Sequence, residues 1–175
     1  ELPLGEVALA VPTRDGFAVV RPGERGLTFH TLEGGQYGVA ERQDLRPMEA
    51  SDAVRDQFLT RALAELPAGG PPPGVVEADL EARFALLADD QPVPPWDRIL
   101  VSADGGSVWL RRYVLPLKEG ESSSWSVFGL DGAIQAEVRA PAGFRPTHIV
   151  GDRVAGIETD RLGVEYATVY GLRVR

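Results

Sequence analysis

Asp-Gly and Gly-Gly pairs recur between short apolar segments of this chain, and their spacing restricts the fold more than any other feature. "TRDG" leads into "FAVV", "EGG" precedes "QYGVA", "SADGGS" precedes "VWLRRY", and "GLDG" precedes "AIQAEV". Such pairs supply the positive φ that tight β-hairpins need. Val7, Leu9 and Val11 alternate with other residues, the period of a half-buried strand. The corners also repeat. One β-rich stretch turns its first hairpin at Asp104-Gly105 and the next at Gly151-Asp152, an interval of 47 residues. Back to Asp15-Gly16 the interval is 89, and setting aside the 42 residues of 50–91 again leaves 47.

Residues 6–41 read as a four-strand meander. Segments 98–103, 107–114, 125–130 and 133–139 read as a second, and 144–150, 153–159 and 164–172 as a third that stops one strand short. The stretch 50–91 differs. Val54, Phe58, Ala62 and Leu66 fall four apart with Leu59 and Leu63 beside them, which predicts a helix over 50–66 capped by Ser51 or Asp52. "PAGGPPPG" ends it, and a weaker helical period runs from Glu77 to Ala88 before "DDQPVPP". Four strands in each repeat of about 40 to 50 residues is the signature of propeller blades. The expectation is a mainly β fold over 1–175, a partial β-propeller with about three four-stranded antiparallel blades. Its parts are a blade at 6–41, a helical insertion at 50–91, a blade at 98–139 and an incomplete blade at 144–172. "SADGGSVWL" is then a hairpin corner, not a catalytic loop.

The strings "ILVSADGGSVWLRRY", "WSVFGLDGAIQAEVRAPAGF" and "GDRVAGIETDRLGVEYATVYGLRV" resemble the C-terminal blades of bacterial six-bladed β-propellers, the NHL-repeat-like and TolB-like group. The resemblance lies in Asp104, Gly105, Trp109, Trp125, Val127, Phe128, Gly132, Pro141 and Phe144, and at the end of the chain in Asp160, Gly163, Val164 and Tyr170. It implies a fold and no particular activity, because such folds host many functions. Six blades need about twice this length, which implies a missing N-terminal half of the same propeller or completion by another subunit.

Charge narrows the partners. A formal net charge of −8 argues against nucleic acid, which needs a basic surface, and against an anionic lipid face. No apolar run approaches the roughly 18 residues of a spanning helix, so no transmembrane segment is expected in this chain. Cysteine and Asn are both absent, which excludes disulfides and glycosylation sequons. Lys118 is the only Lys beside seventeen Arg, a bias suggesting a GC-rich bacterial genome. The chain starts without an initiator Met, leaving room for a removed leader or anchor. The expected location is periplasmic or at the cell surface.

Chemistry is sparse. His30 and His148 are the only imidazoles, and a zinc site takes three or four ligands. Ser122 to Ser124 lack the G-x-S-x-G elbow and read as a flexible loop. Asp89-Asp90 and the set Glu77, Asp79 and Glu81 lack the alternation and Gly bend of a calcium loop, and read as solvated helix flanks. No catalytic residue, cofactor-binding residue or metal ligand is assigned, and no cofactor is expected. Trp109 alternates with Val108 and Leu110, which places it between blades.

Two features point to protein partners. Trp96 follows "VPP", where an anchoring aromatic is expected in a loop. The last strand, with Val164, Tyr166, Thr168 and Tyr170, is an edge awaiting a neighbour. The expectation is a non-enzymatic protein-interaction or scaffold module. It would be an accessory subunit of a larger envelope or membrane-bound assembly, for example respiratory or photosynthetic. The alternative is a full-length propeller enzyme or small-ligand binder acting on a sugar or lactone through a central pore.

Overall fold

A computed structural model describes residues 8–21, 23–45, 48–49, 51–64, 82, 92–115 and 121–173. Strands β1 (Leu9–Thr13), β2 (Gly16–Val20), β3 (Gly26–His30) and β4 (Gln36–Glu41) form a first antiparallel sheet in chain order. A short strand β5 (Met48–Glu49) leads to helix α1 (Asp52–Ala64), and β6 (Pro92–Val93) returns to pair with β5. The second sheet holds β7 (Trp96–Val101), β8 (Ser107–Arg112), β9 (Ser123–Gly129) and β10 (Ile134–Ala140). The third holds β11 (Phe144–Val150), β12 (Arg153–Thr159) and β13 (Glu165–Gly171).

Among the described residues the fold is mainly β, with three large sheets of four, four and three strands beside the β5–β6 ribbon, and helix α1 falls in the expected stretch. The helical period at Glu77 to Ala88 and the carboxylates Glu77, Asp79, Glu81, Asp89 and Asp90 lie outside the described residues, apart from a helical position at 82.

Strand alternation explains the layering. Along β8, Val108 and Leu110 turn to one face and Trp109 to the other, and β9 repeats this with Phe128 against Trp125 and Val127. The first set packs on Ala18, Val20, Leu27, Phe29 and Ala40 of the first sheet. The second set packs on Phe144, Ile149 and Val154 of the third. The second sheet is thus the middle layer, apolar on both faces. Both indoles on its second face are satisfied locally. Trp109 Nε1 donates to Ser107 Oγ at 3.3 Å and Trp125 Nε1 to Ser123 Oγ at 3.0 Å, each two residues back on the same face. A smaller cluster joins Val54 and Phe58 of α1 to Val93, Tyr113 and Leu115.

The three sheets approach one another along their first strands, β1 on β7 and β7 on β11. There the first hairpin corner of the first sheet meets that of the second, and the second sheet's corner meets the end of β11. Arg14 N–H donates to Gly105 O at 3.1 Å, and Ala103 N–H donates to Ile149 O at 2.7 Å. Gly105 and Gly132 adopt φ of +68° and +82°, as hairpin corners require.

The cost of replacing a corner Gly depends on what lies beyond its Cα. A Cβ on Gly132 would sit 2.5 Å from Val39 O, whereas one on Gly163 (φ +79°) meets nothing within 4 Å. Gly163→Ala should lower stability by about 1 kcal/mol, the left-handed backbone penalty alone. Gly132→Ala should cost about 2–3 kcal/mol, because strand β4 must also shift. Urea unfolding of both variants checks this ordering, and equal losses would refute it.

Candidate interaction surface

The corner at "SADGGS" is a network of local bonds. Ser102 Oγ donates to Asp104 Oδ1 at 2.6 Å, and Gly106 N–H donates to the same oxygen at 3.1 Å. Arg14 reaches the other oxygen at 3.4 Å across the sheet boundary. The Ser102 hydroxyl, then the Gly106 amide, and more weakly Arg14 hold the Asp104 carboxyl below its usual range. Every one of these bonds fixes the turn or ties it to the first sheet.

Asp160 does the same at the β12–β13 corner, accepting the amides of Leu162 at 2.8 Å and Val164 at 3.0 Å on Oδ1. Tyr166 Oη donates to its Oδ2 at 3.2 Å. The Val164 amide foremost, with Leu162 and Tyr166, depresses the Asp160 pKa. A depressed carboxyl favours the folded corner above the unfolded pKa of roughly 3.9, and that preference fades as pH falls through the lower folded value. Amide proton shifts of Leu162 and Val164 should therefore titrate below pH ~4 and stay flat in Asp160→Asn. A midpoint at or above the free value would contradict the geometry.

The expected partner-binding residues fall into two environments. Trp96 heads β7, paired with Arg112, and is only 3 % exposed. Its ring stands edge-on to Phe128 at 6.3 Å in the core between the first two sheets, and its buried Nε1 has no hydrogen-bond partner among the described residues. β7 begins two residues before the expected 98, so the indole is carried into the core and not left in the loop after "VPP".

Val164, Tyr166, Thr168 and Tyr170 do sit together, on and beside β13, the last strand of the third sheet. Tyr166 is 52 % exposed and Val164 46 %. Tyr170 stacks edge-on against Phe144 at 4.7 Å, and its hydroxyl donates to Glu158 Oε2 at 3.0 Å. That carboxylate foremost, with burial, raises the Tyr170 pKa.

Ser123 and Ser124 open β9, and Ser122 Oγ accepts from Arg139 Nε at 3.0 Å, so the expected loop is largely strand. His30 stacks on Phe17 at 5.1 Å with its Nε2 2.9 Å from Thr28 Oγ1. His148 lies exposed on β11. Among the described residues no group of three or more His, Asp or Glu could hold a metal ion.

Sequence reading missed the outer face of the third sheet. β11 to β13 alternate, so the side of the sheet away from Trp125 shows Val150 and Val169, each 60 % exposed, together with Ala155, Ile157, Ala167 and the exposed His148. Arg145, bonded to Glu165 at 3.0 Å, and Arg153 rim the patch. On the first sheet, Val39 is exposed on the face opposite the core. Period-2 alternation at 153–159 was the available signal, but it cannot say which face is left bare.

Comparison with protein-family models, curated proteins and solved structures finds no match. No helix among the described residues is long and apolar enough to cross a membrane.

Proposed function

We propose that this chain is a non-enzymatic interaction and scaffold module, three consecutive blades of a β-propeller completed by other protein. The observation that carries the reading is the stack itself. A middle sheet is buried on both faces, while the flanking sheets leave Val39 on one side and Val150 and Val169 on the other exposed. Approach along first strands, with the β7–β8 corner bonded to the β1–β2 corner on one side and to β11 on the other, supports the blade arrangement. An alternating, charge-rimmed apolar face suits another polypeptide layer better than a small molecule.

The assembly served is a larger envelope or membrane-bound complex, with this chain as a periplasmic or cell-surface accessory subunit. The test is purification of the tagged chain from native envelope fractions, beside a Val39→Glu/Val150→Glu variant. The wild type should bring a stoichiometric protein subunit with it, and the variant should lose that subunit while remaining folded by circular dichroism. A wild type that elutes without any other subunit would overturn the reading.

A further inference from the structure

Strand β13 differs from every other edge of the three large sheets. β1 carries Pro12, β11 carries Pro146, and the ladders of β4, β7, β10 and β11 each contain a register shift. Proline and bulges are the devices that blunt an edge against pairing. β13 has neither. Its ladder with β12 runs through seven consecutive pairs without a shift, and no described strand lies on its other side.

The edge is also self-complementary. Leu172 N–H donates to Asp152 O at 2.7 Å, and Val164 O accepts from Asp160 N at 3.0 Å. Alternation along an antiparallel ladder then turns the even-numbered residues of β13 toward β12. Residues 165, 167, 169 and 171 direct their N–H and C=O groups outward. The strand reads Tyr166-Ala167-Thr168-Val169-Tyr170, close to a palindrome about Thr168.

A twofold axis through Thr168 sets Tyr166 opposite Tyr170 of a second copy, Ala167 opposite Val169, and Thr168 opposite itself. Aromatic with aromatic and Thr with Thr are favourable cross-strand pairs. The same axis makes 167 with 169, and 165 with 171, the hydrogen-bonded pairs, which are the residues whose backbone groups point outward. It also puts Glu165 diagonal to Arg173 of the other copy.

We propose that β13 pairs antiparallel with β13 of a second copy, joining two third sheets into one six-stranded sheet. The proposal goes beyond the scaffold reading, since a chain that stays monomeric can still bind other proteins through its outer faces.

The register makes a sharp test. The chain has no cysteine, so Thr168→Cys and Tyr166→Cys each introduce a single thiol. Opposed Cα atoms in a non-hydrogen-bonded pair lie ~4.5 Å apart, within disulfide range. Two thiols at 166 would lie about 13 Å apart, four residues along the strands. Sedimentation of the unaltered chain should give twice its 18.9 kDa mass. Mild oxidation should yield at least tenfold more covalent dimer from Thr168→Cys than from Tyr166→Cys. A monomeric mass at all concentrations, or equal cross-linking of the two variants, overturns the proposal.

Discussion

Trp125→Ala should lower the stability of this protein by about 3–5 kcal/mol. The indole is 1 % exposed and fills the layer between the second and third sheets, beside Trp109, Phe144 and Ile149. Its removal leaves a cavity that two hydrogen-bonded sheets cannot collapse around, and it strips Ser123 Oγ of its buried partner. At about 2–4 °C per kcal/mol for a chain of this size, the melting temperature should fall by on the order of 10 °C. Trp125→Phe should lose markedly less, because most of the volume stays. Calorimetry on both variants checks the pair, and a loss under about 1 kcal/mol for Trp125→Ala would mean that the two sheets do not share this layer.

The second large effect is electrostatic. Asp97 and Arg111 face each other across β7 and β8, with Arg111 Nε 2.6 Å from Oδ1 and Nη2 2.9 Å from Oδ2. Both side chains are mostly buried, at 14 % and 17 % exposure, and Asp97 Oδ2 also accepts the Val114 amide at 3.0 Å. Asp97→Ala leaves a guanidinium and an amide without their acceptor in a poorly solvated place, at a cost of about 3 kcal/mol. Replacing both partners together, as Asp97→Leu with Arg111→Met, should recover much of that loss. The uncompensated charge is the main penalty, not the missing attraction. A double variant as unstable as the single one would refute this account.

Particular elements show what could be read in advance. Strands 153–159 and 144–150 were legible to the residue because Gly151-Asp152 and the Pro141-to-Gly143 turn bracket seven-residue segments with no breaker cluster inside them. The opposed faces of the second sheet were legible in outline from Trp109 between Val108 and Leu110. The start of β7 was not. "VPP" signals a break by local chemistry, yet pairing with Arg112 extends the ladder back to Trp96. The β5–β6 ribbon was equally hidden, being two residues per strand with a proline in one of them. For the candidate surface, β13 was legible as a last strand, while the bare Val150–Val169 face depended on which neighbour each layer finds. That is a tertiary fact with no local signature.

The β5–β6 ribbon has a consequence for how this chain can change length. Glu49 and Pro92 are paired, so the 42 residues of 50–91 leave and rejoin the chain at adjacent points. The step from the first sheet to the second is therefore taken by the ribbon, whatever the excursion contains. Closing a loop of 42 residues in place of one of about 10 costs only about 1.2 kcal/mol more. The site is a splice point, where sequence can be added, trimmed or exchanged while the three layers keep their order. Among the described residues, the patch that α1 covers with Val54 and Phe58 would need new apolar residues or a polar resurfacing.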